Sequence, residues 1–197
     1  MSARVFVAGA TGAVGKPLVS LLTAQGYEVW GTARFPDKAR TIEDAGASAI
    51  VVDVFDAAAL GRAVMSVRPG TIVHQLTDLP AGLDPARMAE AVPRNARIRR
   101  EGTKNLVAAA LAAGTRKLIS QSIAWRAQGI TAEGVGTGRV AGGEEMPLHV
   151  DAAASAALLA LEKGRAGTIY DIVESDAGVA IDAARRELGW DPRFRLH

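Results

Sequence analysis

The chain has 197 residues, no cysteine and three histidines, with 49% apolar and 22% charged residues and a formal net charge of +2. That length suits one domain with a full core, and without cysteine these residues form no disulfide, thiolate metal site or cysteine nucleophile. The histidines at 74, 149 and 197 are too scattered for a metal cluster, no apolar run approaches the ~20 residues that span a bilayer, and MSARVFVAGATG lacks the order of a signal peptide, so a metal-free cytoplasmic protein with no membrane partner is expected.

Short apolar runs alternate with helical patterns, which predicts βα units, a parallel sheet and the α/β class. Val5–Ala8 reads as the first strand and 13–25 as the first helix. Further strands are expected at Glu28–Thr32, Ala49–Val54, Thr71–Leu76, Lys117–Ser120 and Thr168–Val173, with helices at 37–46, 57–67, 86–113, 151–163 and 178–188. Gly26 and Gly114 fall where helices should stop, and Pro93 is expected to break the long fourth helical segment near its start. Residues 126–147 are glycine-rich without a sustained period and read as a loop. No linker is visible, so 1–197 is expected as a single domain.

The sharpest pattern runs from Val5 to Gly15: a buried strand, glycines at 9, 12 and 15, then an amphipathic helix. The first glycine permits a tight turn, the second lets backbone approach a pyrophosphate, and the third lets helix and strand pack closely. The helix start then presents N–H groups to phosphate charge. Gly9, Thr11, Gly12, Ala13, Val14 and Gly15 are therefore the expected cofactor cradle, against the blander reading of a structural glycine turn. An acidic residue ending the second strand would hold the ribose 2′-OH of NAD, whereas an arginine accepts the 2′-phosphate of NADP. The chain reads Gly31-Thr32-Ala33-Arg34 there, with Lys38 close behind, which favours NADP over NAD.

With these residues in view, the chain resembles the extended and atypical short-chain dehydrogenase/reductases, the NAD(P)-dependent epimerase/dehydratase group. The resemblance is carried by Gly9-x-x-Gly12-x-x-Gly15, Asp53-Val54, Val73-His74-Gln75-Leu76-Thr77, Asn95, Gly102-Thr103-Lys104-Asn105-Leu106, Ser120-Gln121-Ser122, Met146–Ala153, Tyr170–Val173 and Ala183–Pro192. It implies a doubly wound Rossmann sheet of order 3-2-1-4-5 with an extra late strand. It also implies that Asp53 and Val54 meet the adenine, and that Gln75, Leu76 and Thr77 lie beside ribose and nicotinamide. Ser122 is the position where a serine commonly polarises the substrate carbonyl.

Family members transfer hydride with a Tyr-x-x-x-Lys pair. Here Tyr27 is followed four residues on by Gly31 and Tyr170 by Glu174, so neither tyrosine has the lysine. A carboxylate cannot replace it, because negative charge raises a phenol's pKa. The segment expected to carry the pair is missing between about Ala127 and Gly138, and a second gap falls near Ser175. The chain thus resembles a member reduced to its cofactor half. Flavin and biliverdin reductases of this superfamily work without the pair, on acceptors that can take a proton from solvent.

Ser122 is the catalytic candidate, suited to orient a carbonyl rather than to protonate it. His74 lies inside an apolar strand and reads as a packed core histidine; His149 and Asp151 read first as the start of a helix. Arg94, Arg97, Arg99, Arg100 and Lys104 have no aromatic platform beside them, so they read as a solvated helix surface and not a nucleic-acid site. The expected function is an NADP(H)-dependent oxidoreductase reducing a small carbonyl or conjugated substrate. A non-catalytic dinucleotide sensor or subunit, and a non-redox isomerase or cyclase, stay open. An open sheet edge is a pairing hazard, which points toward a homodimer.

Overall fold

A computed structural model describes residues 3–80, 84–121, 148–172 and 181–196. The chain divides into two compact units, Met1–Ser120 and Gln121–His197, where the sequence displays no linker.

The first unit is a five-stranded parallel sheet in the order β3-β2-β1-β4-β5, as the family resemblance implied. Its strands are β1 (Arg4–Ala8), β2 (Glu28–Ala33), β3 (Ser48–Val51), β4 (Thr71–His74) and β5 (Lys117–Ser120). The helices are α1 (Gly15–Ala24), α2 (Pro36–Glu43), α3 (Ala57–Val67), α4 (Pro85–Arg97) and α5 (Thr103–Ala112). β1 sits centrally and its Val5, Phe6, Val7 and Ala8 are all buried, which explains a continuous apolar run instead of an alternating one. Phe6, Ala8 and Ile72 pack with Leu60 and Val64 of α3 and Leu106, Ala109 and Ala110 of α5. The side chains of Val5 and Val7 point to the other face by strand alternation.

Local chemistry sets the helix boundaries. Asp56 caps α3 by accepting from the Ala59 N–H at 2.9 Å, and Asp84 caps α4 by accepting from Ala86 at 3.0 Å. β3 and β4 stop short of Val54 and Leu76 because their neighbours end: Ala33 pairs with Val51, and Ala8 pairs with His74. One further bond, from the Gln75 N–H to the Ala8 carbonyl at 2.8 Å, carries the β4 chain past the strand end.

The fourth helical segment departs from expectation. Pro93 lies inside α4 without ending it. It is exposed, as is Ala89 one turn earlier, so water can serve the Ala89 carbonyl that the missing N–H leaves unbonded. The irregularity falls instead at Ile98–Gly102, a five-residue π-helical turn between α4 and α5.

In the second unit, α6 (Val150–Lys163) buries seven consecutive residues, Ala152–Leu158. A helical turn at Ala184–Leu188 packs with it. The Trp190 indole N–H donates to the Ala152 carbonyl at 2.8 Å, and Lys163 Nζ donates to the Leu188 carbonyl at 2.8 Å. Thr168–Val173 does not form the expected late strand over its described residues 168–172, and among the described residues the sheet has five strands, all in the first unit. Tyr170 there donates instead to Glu187 at 3.1 Å. The loop reading at 126–147 lies outside the described residues.

Candidate functional site

The carboxyl ends of β1, β2 and β4 and the chain following β3 converge on a groove of about 210 Å³. Gly9, Thr11, Gly12, Arg34, Asp53, Val54, Gln75, Leu76 and Thr77 line it. Ala13, Val14 and Gly15 carry the chain from the groove into α1, with Val14 at the N-cap. Ser122 lies outside the described residues.

Backbone proximity dictates the glycines. Gly9 has φ +89°, and a Cβ there would stand 2.8 Å from the Gln75 carbonyl carbon. A Cβ on Gly15 would collide with the Gly9 carbonyl. That carbonyl also accepts the Gly12 N–H at 3.1 Å and closes the turn. α1 begins without a side-chain cap and without an acidic residue in its first turn, so its positive end is left for an anion.

Several contributors were not singled out in the sequence. Thr32, buried in β2, accepts the Gly9 N–H through Oγ1 at 3.1 Å and so fastens the loop to the neighbouring strand. A polar residue near the end of an apolar strand was its only signal. Gly31 leaves room for Ala10 and Ile42, which a Cβ would approach to 2.7 and 2.9 Å. Phe55 and Ile98 also line the groove, and Arg97 lies 4.0 Å from the Phe55 ring centre.

At the β2–β3 end, Arg34 is exposed and its Nε lies 3.4 Å from Asp53 Oδ2. Asp53 Oδ1 accepts the Phe55 N–H at 3.0 Å. Asn105 reaches across from α5 to donate to the Val54 carbonyl at 2.9 Å. Asn95 accepts the Asp78 N–H at 3.2 Å, which fixes the segment after β4.

His74 is buried at the end of β4. Its Nδ1 accepts the Leu76 N–H at 3.2 Å, so the neutral ring carries its proton on Nε2 and donates to Thr103 Oγ1 at 2.8 Å. Burial, reinforced by the charge of Arg99, lowers its pKa to about 4. Beside it, Gln75 Oε1 is buried with no hydrogen-bond partner. In the second unit, His149 caps α6 by accepting the Asp151 N–H at 3.2 Å, which gives that pair a helix-starting task. Among the described residues there is no cluster that could hold a metal, and no helix is long and apolar enough to cross a membrane.

A glycine cradle at the end of β1, an uncapped helix behind it and an orphan amide in the wall fit an NAD-binding Rossmann fold. Residues 5–124 match the profile of the NAD dependent epimerase/dehydratase family, and the chain belongs to that family. It is 38% identical over 177 residues to 3-diazoavenalumate denitrifying reductase from Streptomyces sp, covering 90% of this chain and 51% of that one. The chain thus spans about half the length of that relative. UDP-glucose 4-epimerase of Thermus thermophilus, solved in complex with NAD, is 25% identical with a TM-score of 0.54, covering 77% of this chain and 47% of that one. A structure from Burkholderia cenocepacia covers 100% of this chain and 86% of its own at a TM-score of 0.67; at 21% identity it shows the fold alone.

Proposed function

We propose that the protein is an NADP(H)-dependent reductase of a small carbonyl or conjugated substrate. One observation carries the choice of nucleotide: the residue directly after β2 is Arg34, exposed at the rim of the groove beside Asp53. A 2′-phosphate on the adenosine ribose would meet an exposed guanidinium at that rim, where NAD selection calls for a carboxylate. Lys38 stands one helical turn beyond and is paired with Asp37 at 3.8 Å. The reductase reading is supported by the 38% identity to an enzyme named as a reductase.

The bound nucleotide would supply the hydride. The residues of this chain would hold its pyrophosphate at Gly9–Gly15, satisfy the Gln75 amide and keep His74 neutral behind the wall. No Tyr-x-x-x-Lys stands in the sequence. That favours an acceptor whose proton comes from solvent, such as a quinone or an enone, over a simple ketone.

The test is a fluorescence titration with NADPH and NADH, followed by absorbance assays of nicotinamide oxidation with quinones, flavins and enones. NADPH should bind more tightly than NADH and turn over. Arg34→Glu should weaken NADPH about 10- to 100-fold, the range of a charge-assisted hydrogen bond, and leave NADH within about threefold. Equal losses for both nucleotides would reject the 2′-phosphate assignment. Tight binding without turnover on any acceptor would favour a nucleotide sensor.

A further inference from the structure

The chain leaving β4 brings to the groove a carboxylate that the cofactor cradle does not employ. Asp78, four residues beyond His74, lines that groove, as Arg34 does where β2 ends. Two consecutive residues of α4 hold it. The buried Asn95 accepts the Asp78 N–H at 3.2 Å, and Arg94 Nε donates to Asp78 Oδ2 at 3.2 Å. Backbone and side chain are thereby both fixed from one helix. An ion pair whose partners are both partly exposed adds little stability, so the pairing alone is a weak reason for a carboxylate here. The bond from Arg94 occupies one of about four lone-pair sites on the two oxygens.

The topology indicates what meets that carboxylate. β1 is flanked by β2 and β4, and the strand order reverses between β1 and β4. A dinucleotide crosses such a switch point with its pyrophosphate at the turn after the first strand. Its adenosine takes the β2 side, where Arg34 and Asp53 stand, so the second nucleoside falls on the β4 side. Gln75, Thr77 and Asp78 line the groove there, and Gln75 Oε1 is a buried acceptor without a partner. A carboxylate repels phosphate charge. From sugar hydroxyls it accepts charge-assisted hydrogen bonds, the chemistry by which an acidic residue holds the adenosine ribose in NAD sites.

We infer that the Asp78 carboxylate accepts hydrogen bonds from the ribose hydroxyls of the cofactor's nicotinamide half. This rests on the nucleotide reading above and deepens it. The groove is then polarised, with a guanidinium at the adenosine end and a carboxylate at the nicotinamide end. A phosphorylated ribose is accepted at the first end and rejected at the second.

Calorimetry with three ligands of decreasing length tests the assignment. They are NADPH, 2′-phospho-ADP-ribose, which lacks the nicotinamide, and 2′-phospho-ADP, which lacks the second ribose as well. Asp78→Ala should weaken the first two about tenfold, as loss of a charge-assisted bond does, and leave the third within about twofold. Asp78→Asn keeps an acceptor without the charge and should fall between wild type and alanine. Arg94→Ala leaves the carboxylate in place and should weaken NADPH by no more than about threefold. Thermal melts of these variants should stay close to wild type, since the ion pair is partly exposed; where alanine disturbs the fold, the asparagine variant decides. Unchanged NADPH affinity in the Asp78 variants, or an equal loss for all three ligands, would overturn the inference. So would a loss in Arg94→Ala as large as in Asp78→Ala, which would assign the effect to the ion pair. A loss confined to NADPH would do the same by assigning the carboxylate to the nicotinamide ring. A wild type that prefers NADH is tested alike with ADP-ribose and ADP. One that binds none of these ligands refutes the nucleotide reading itself, and the assignment of Asp78 falls with it.

Discussion

His74 Nε2 lies 2.8 Å from Thr103 Oγ1, so the end of β4 is fastened to the first residue of α5. The same ring accepts the Leu76 N–H, so a single neutral imidazole joins the floor of the groove to the helix layer.

That arrangement makes stability depend on pH. The folded-state pKa of His74 is lowered from 6.5 to about 4, so between those values the unfolded chain binds more protons than the folded one. The stabilising contribution is full above about pH 6.5 and is lost as pH falls toward 4, amounting to about 3 kcal/mol. Urea denaturation at several pH values should show stability falling across that window. A His74→Asn variant should start less stable and show a flatter dependence; an equally steep profile in the variant would assign the proton uptake to other groups.

Two glycines should respond to alanine in opposite directions. At Gly15 the new Cβ collides with the Gly9 carbonyl and lies 2.9 Å from the Ala10 carbonyl carbon, so Gly15→Ala should cost about 1–3 kcal/mol. It should also weaken dinucleotide binding by about tenfold or more, because the cradle must shift. At Gly61, within α3, a Cβ meets nothing within 4 Å, and Gly61→Ala should stabilise by about 0.5–1 kcal/mol. Thermal melts with and without nucleotide measure both; a neutral Gly15→Ala would contradict the close packing of loop and helix.

In the second unit, Trp190→Phe retains the buried ring but removes the donor to the Ala152 carbonyl. The loss should be about 1 kcal/mol or more, from one buried hydrogen bond together with the space that the smaller ring leaves. Denaturant unfolding reads it directly, and a change below a few tenths of a kcal/mol would mean that neither the indole bond nor the ring's packing holds the second unit together.

The elements of the sheet were legible because they are set by period and spacing. Val5–Ala8 is apolar on both faces, Asp56 caps α3 locally, and Gly9, Gly12 and Gly15 fall at positions that a turn and a helix start require. Pro93 misled because a proline signals a break locally, whereas an exposed carbonyl needs only water to let the helix run on. Thr168–Val173 has strand-like residues, but strand formation depends on a partner that no local pattern records.

By itself, then, the sequence determined the α/β alternation, the glycine turn between β1 and α1 and the identity of the residue that follows β2, since each depends on neighbours within a turn or two. Only the tertiary structure decided that Thr32 fastens Gly9 across 23 positions, that Asn105 reaches Val54 across 51, and that Gln75 Oε1 is buried without a partner. It likewise separated Arg99 from the charged run around it. Burial and ion pairing are properties of surfaces meeting from distant parts of the chain, and a run of arginines reads alike whether its charges face water or lie partly buried.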